Sequence, residues 1–298
     1  MRYKISHKTI YEYTEHVSFC QNKAFLKLRD APGQQVISSV LQISPPAFQF
    51  EDALDFYGNR VSLFTIQEPH KRLEIEVLSQ VSCLSLPVPL QSMEWNVVRD
   101  FIAGDLNAKS LEAQEFLFDS PHVPAEQALH DYAVSSFPMH RPLVEALEDL
   151  NKRIFTDFKY RPLTTTISTP ISEVLQTRGG VCQDFAHLMI GCLRSLGIPA
   201  RYVSGYLRTL PPPGKPRLVG ADASHAWVSA FVPGHGWLDL DPTNGTIPGD
   251  EHITVAWGRD FSDVSPIRGI VIGGAGQTLS VAVDVEPIAE PVAVKAKV

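Results

Sequence analysis

The chain has 298 residues, 44% hydrophobic and 20% charged, which places it among ordinary folded proteins and, at this length, predicts more than one domain. Its 26 Lys and Arg against 33 Asp and Glu leave a net charge of −7 with no concentrated basic patch, so nucleic acid is not an expected partner. No apolar run is long enough to span a bilayer, no apolar stretch follows the charged first residues, and Cys20, Cys83, Cys182 and Cys192 are too scattered for a disulfide framework; a cytoplasmic protein with no membrane contact is expected.

From residue 1 to about residue 90 the pattern has period two. Tyr3 and Ile5 alternate with Lys4 and Ser6, and Leu73, Ile75 and Val77 with Arg72, Glu74 and Glu76, as in strands with one wet face. Turn clusters at Asp30–Gly33, Pro45-Pro46, Gly58-Asn59 and Glu68-Pro69 divide the run into strands, so an all-β, sandwich-like domain is predicted over 1–90. Histidines such as His7 and His70 stand alone there, and the domain reads as a scaffold or partner surface.

The period then becomes helical. Helices are predicted over 94–103, 111–118, 125–135 and 143–158, the last with Leu143, Ala146, Leu147, Leu150 and Ile154 along one face. A Thr-rich connection, a short helix over 171–177 and the pair Gly179-Gly180 lead into Cys182. The residues from Cys182 to Leu196 contain no proline and end at Gly197-Ile198-Pro199, a helix with a glycine stop. A thiol in the first turn feels the positive end of the helix dipole and the unpaired N–H groups, both of which favour thiolate. Cys182 is therefore a candidate nucleophile, against the alternative of a small apolar residue in a helix that is apolar on most sides.

Metal binding on this helix fails on geometry. Cys182, His187 and Cys192 are spaced so that, at about 100° per residue, they point to different sides of the axis. No Cys-x-x-Cys, His-Glu-x-x-His or acidic calcium loop occurs, and Ile270–Gly276 lacks the spacing of a phosphate loop, so no metal or cofactor is expected.

Strands are predicted over 200–208, 224–231, 237–240, 253–257 and 279–285, with a Pro-rich loop over 210–216 and a frayed tail over the last dozen residues. His225 opens one strand and Asp241 closes the next across a turn at Pro233-Gly234-His235-Gly236. A loop of 231–235 sets Ala230 against Gly236 and His225 directly opposite Asp241 on one face; other loop lengths shift this register, and Asp239 has the same parity.

Three blocks in order, Gly-Gly-Val-Cys-Gln-Asp-Phe-Ala-His-Leu, Ala-Asp-Ala-Ser-His-Ala-Trp-Val and Asp-Pro-Thr-Asn-Gly, resemble the core motifs of the bacterial transglutaminase-like cysteine enzymes, over about residues 150–260. The N-terminal region with Asp55-Phe56-Tyr57-Gly58-Asn59 is similar to the domain that often precedes that core. The resemblance implies an α+β protein in which the β-sandwich-like domain is followed by a papain-like core of helices packed on an antiparallel sheet. It implies Cys182 as nucleophile, His225 as general base and acid and Asp241 as orienter, acting on a carboxamide carbonyl through a thioester and passing the acyl group to water or an amine.

The backbone N–H of Cys182 is the expected oxyanion donor, with the Tyr160 hydroxyl as a side-chain candidate. Asp222 is a candidate for tuning the site or binding an amine, Trp227 for walling the cleft or filling core, and His187 and Asp184 for structural hydrogen bonding. The expected organisation is a β domain over 1–90, a helical connection over 91–150, the catalytic core over 151–265 and a strand and tail over 266–298. The expected substrate is a peptide or protein amide and hydrolysis is the favoured reaction; amine transfer, or a non-catalytic binding module of the same fold, are the alternatives.

Overall fold

A computed structural model describes residues 1–209 and 223–288 of the protein. The Pro-rich loop and Asp222 lie outside these residues, as does the tail beyond Ile288. Strands β1 (Arg2–Ala24), β2 (Gln34–Ser44), β3 (Gln49–Leu54), β4 (Arg60–Ile66) and β5 (His70–Cys83) form one antiparallel sheet in the order β2-β5-β1-β4-β3. The long β1 organises it: Tyr3, Ile5, His7 and Thr9 are buried while Arg2 and Lys4 are exposed, the alternation a half-wet strand requires. Its first half pairs with β5 and its last residues with β4, the pairing shifting register near Val17. Tyr13, Val17, Cys20, Phe64, Ile66, Leu73, Ile75 and Val77 close a core of their own inside this domain, whereas Tyr3, Ile5 and Val81 join the core of the rest of the molecule.

Helices α1 (Trp95–Gly104), α2 (Ala108–Gln114), α3 (Gln127–Ala133) and α4 (Leu143–Asp157) follow, α2 and α3 each running into a single 3₁₀ turn. The stripe foreseen on α4 is buried, from Leu143 through Ile154. Strand β6 (Lys159–Tyr160), helix α5 (Ile171–Thr177) and strand β7 (Gly179–Gly180) then bring the chain to α6 (Cys182–Ser195), with β6 and β7 paired in parallel. Every residue of α6 from Asp184 to Leu193 is buried, as its all-round apolar surface demands. The helix stops as expected: Gly197 adopts φ +76°, with Ile198 N–H on Leu193 O at 3.0 Å and Gly197 N–H on Arg194 O at 2.9 Å.

The second sheet contains β8 (Ala200–Leu207), β9 (Ala223–Val232), β10 (Gly236–Leu240) and β11 (His252–Gly258) in the order β10-β9-β8-β11, all antiparallel. Ala226, Val228 and Ala230 pack in one cluster with Phe185, Met189 and Cys192 of α6. The β9–β10 hairpin differs from the expected register by two residues. Its loop is only Pro233–His235, with Gly234 at φ +82°, so Ala230 faces Leu238 rather than Gly236. A shift of two preserves parity, so His225 and Asp241 keep a common face but are diagonal rather than direct neighbours. After α7 (Phe261–Val264) the chain returns to the first domain, where β12 (Ile267–Gly273) and β13 (Gln277–Ile288) pair with the two halves of β1.

Strand β11 is an edge of the second sheet, and an edge carries unpaired N–H and C=O groups. Two side-chain amides of the N-terminal domain satisfy them. Gln34 accepts from Thr254 N at 2.8 Å and donates to Thr254 O at 2.7 Å; Asn59, fully buried, accepts from Trp257 N at 2.9 Å and donates to Trp257 O at 2.8 Å. Beside them Trp257 is held between Arg29, 3.2 Å from its ring centre, and Arg201, 3.8 Å away, and Arg201 also lies 4.2 Å over Trp237. His7 of β1 meets the Tyr206 hydroxyl of β8 at 2.8 Å in the same seam.

Candidate active site

The start of α6 is built by a carboxylate that turns back on the chain before it. Asp184 accepts from the backbone N–H of Val181 at 2.8 Å and from the Thr165 hydroxyl at 2.7 Å. Gly180 makes this possible, because a Cβ there would sit 2.7 Å from the Asp184 carboxylate oxygen. Cys182 thus occupies the first turn, partly exposed, where the N–H groups have no helical carbonyl to bond.

His225 projects from β9 toward that turn, its side chain 8% exposed. Its Nε2 donates to Asp241 Oδ2 at 2.8 Å, and the Cys182 sulfur is near enough to help raise the pKa of the ring. Asp241 is wholly buried just past β10, where its backbone bridges to Thr246. Its Oδ1 accepts from the backbone N–H groups of Thr243 at 2.9 Å and Asn244 at 3.2 Å. Besides His225, its Oδ2 accepts from the Asn244 amide at 2.7 Å and from His252 Nε2 at 3.1 Å.

These contacts set the electrostatics. Burial alone would lower the His225 pKa, but the hydrogen bonds and charges of Asp241 and Cys182 outweigh it and raise it to about 10. Burial alone would raise that of Asp241, but the donors His225, His252 and Asn244 hold it well below the usual carboxylate range. The arrangement favours an imidazolium on the Asp241 carboxylate, beside a cysteine in the first turn of a helix, a setting that suits a thiol nucleophile.

Tyr160 lies on β6 opposite Gly180, 56% exposed, and burial of its ring together with the neighbouring Cys182 charge raises its pKa. Trp227 is completely buried two residues along from His225; its Nε1 donates to Asp239 Oδ2 at 3.1 Å, which engages Asp239 away from His225. The ring fills the space left by the missing side chain of Gly205 on β8. His187 accepts from Phe261 N at 3.1 Å and stacks on His122, remote in role from the thiol, and Cys192 is core.

The residue sequence reasoning missed is His252. It carries no motif of its own, and it reaches Asp241 only because β11 pairs with β8 on the far side of β9. Asn244 was visible inside Asp-Pro-Thr-Asn-Gly but without its role as a carboxylate donor. His225, Asp241 and His252 also present ligand atoms within 4.8 Å of one another. Each of these contacts to Asp241 is a hydrogen bond of ordinary length, and an ion there would have to displace the protons both rings share with Oδ2.

Comparison with known proteins shows the family and the fold. A family model described as transglutaminase-like superfamily matches residues 133–242, and one for the bacterial transglutaminase-like N-terminal region matches residues 3–82. An uncharacterised protein of Mycobacterium tuberculosis is 42% identical over 297 residues, covering 96% of this chain and 93% of that protein. A protein-glutamine gamma-glutamyltransferase of Pseudomonas aeruginosa is 34% identical over 133 residues, 42% of this chain and 19% of that enzyme. Among solved structures, a proposed cysteine protease from Cytophaga hutchinsonii superposes with a TM-score of 0.74 at 23% identity, covering 98% of this chain and 92% of the other.

Proposed function

Because this chain belongs to the transglutaminase-like superfamily, we propose that it is a thiol enzyme that opens carboxamide bonds of peptides or proteins through a Cys182 thioester. The observation that carries the proposal is the His225–Asp241 hydrogen bond of 2.8 Å, with Cys182 in the first turn of a helix and near enough to His225 to help raise the pKa of its ring. The Cys182 thiolate attacks the carbonyl carbon, and the first-turn N–H groups receive the oxyanion, with the exposed Tyr160 hydroxyl at the same mouth. His225 gives its proton to the departing nitrogen, which leaves as ammonia or an amine. It then takes a proton from water as the water oxygen attacks the thioester, releasing the acid and returning the thiolate beside the protonated imidazole.

We favour water over an amine as acceptor, since no described residue near Cys182 marks an amine site and water needs none. The sequence relationship to a protein-glutamine gamma-glutamyltransferase supports amine transfer as the second reading. The free cysteines suit the reducing cytoplasm we propose for the protein; among the described residues no helix is long and apolar enough to cross a membrane.

The test is the rate of Cys182 alkylation by iodoacetamide against pH in the parent and in His225→Ala. A reactive plateau well below the free-thiol pKa of about 8.5, lost in the variant, is expected. A profile indifferent to His225 overturns the proposal. Mass spectrometry of peptide substrates with added primary amine then separates the acceptors, and amine incorporation outpacing hydrolysis would reverse our preference.

A further inference from the structure

His252 neither attacks nor exchanges a proton with substrate in the scheme above, yet its ring ends on the same carboxylate oxygen as that of His225. We infer that His252 is a positioning residue for the Cys182–His225–Asp241 triad, and that the N-terminal sheet holds it in place; the inference rests on the thiol-enzyme reading.

Three observations carry it. Asp241 Oδ1 is tied down by its own turn, but a carboxylate held at one oxygen can still swing the other. Of the donors to Oδ2, His225 must be free to change its proton during turnover and Asn244 rides on the same turn as Asp241. His252, at 3.1 Å, is the donor anchored on a separate strand.

The second observation is what the ring gives up to be there. Its side chain is 9% exposed, and Nδ1 is buried with no partner among the described residues. A buried polar atom left unpaired is unfavourable, and an apolar side chain would avoid it. Donation from Nε2 to Asp241 is what the histidine supplies in exchange. The edge of Trp227, at 5.3 Å and 84° to the ring, fixes its tilt.

The third is the anchorage of β11. Gln34 clamps Thr254 and Asn59 clamps Trp257, two and five residues beyond His252. The strand that aims His252 is thereby referenced to the N-terminal domain as much as to its own sheet, which gives that domain a place in the catalytic geometry.

The experiment uses the full chain and the iodoacetamide profile of Cys182 in the parent, His225→Ala, His252→Leu, His252→Gln and Gln34→Leu, with thermal unfolding of each. Leucine fills the space without a donor; glutamine puts an amide N–H near the place of Nε2. The expected result is a plateau about tenfold lower in His252→Leu, as a one-unit shift of the thiolate–imidazolium pair implies, restored in His252→Gln, with a smaller drop in the same direction for Gln34→Leu. Loss of the plateau in His225→Ala but not in His252→Leu refutes the positioning role and leaves the thiol enzyme standing. Equal behaviour of the leucine and glutamine variants reduces His252 to packing. An unchanged Gln34→Leu profile removes the N-terminal domain from the chain of support, and an unchanged His225→Ala profile overturns the enzyme reading itself.

Discussion

His7 and His187 are shut away from water, and burial lowers their pKa values from 6.5 to about 4 and about 3. The unfolded chain therefore binds protons on both before the folded protein does, so the stability present above about 6.5 is lost as pH falls toward the folded values. For His7 this amounts to about 2 kcal/mol at a pH of about 5. In His7→Gln, which keeps a hydrogen-bonding group beside Tyr206 and Thr9, the loss between neutral and mildly acid solution should shrink by about that much in urea titrations. His225 and Asp241 behave differently. The contribution of the raised His225 is complete below about 6.5 and disappears as pH rises through about 10, and that of the depressed Asp241 disappears only as pH falls below the ordinary carboxylate range. Cys182, His225 and Asp241 were legible because each stands beside local punctuation, a Gly-Gly pair, a strand start or an Asp-Pro turn. His252 has none, and only tertiary pairing gives it a partner.

At the scale of elements, α6 was readable at both ends because its signals are local: two glycines before it, a left-handed glycine after it, and apolar residues on all sides between. The entry is the sensitive end. Gly180→Ala would drive a Cβ into the Asp184 carboxylate, breaking its bonds to Val181 and Thr165. We expect a loss of about 2 kcal/mol in unfolding free energy, together with slower Cys182 alkylation because the first turn moves with its cap. Gly104→Ala, at the end of α1 where a Cβ meets nothing, serves as the control: it should leave alkylation unchanged and cost no stability. The hairpin shows the converse limit. Alternation in β9 and β10 specified which residues share a face, but the two-residue difference in register depended on how tightly Pro233–His235 turns, and the pattern of side chains is the same for either.

Across the whole molecule, the strands at the two ends of the chain share one sheet, with Tyr3 beside Pro287 and Ile5 beside Val285. Alternation could identify 279–285 as a strand but could not say that it pairs with β1, because pairing across most of the chain leaves no local trace. One core cluster runs from Tyr3 and Val285 through α4 and α6 to Ile253. A fragment of residues 91–265 would expose the outer edge of β11 and the side of that cluster covered by Tyr3, Ile5, Val81 and Val285, and we expect its unfolding transition by calorimetry to fall well below that of the intact chain. In the intact chain, Asn59→Ala strands the N–H and C=O of Trp257 and should cost about 2–3 kcal/mol in urea unfolding. The alternation of guanidinium and indole at the seam has a further consequence. Of the four tryptophans, Trp227, Trp237 and Trp257 lie in the second sheet and only Trp95 on a helix, so ultraviolet emission is an optical gauge of that sheet and of its contact with the N-terminal domain. Emission and helical circular dichroism should change together if the continuous core makes the protein one cooperative unit; a shift in emission that precedes the loss of helix would reveal the two domains parting first, a motion visible without any added label.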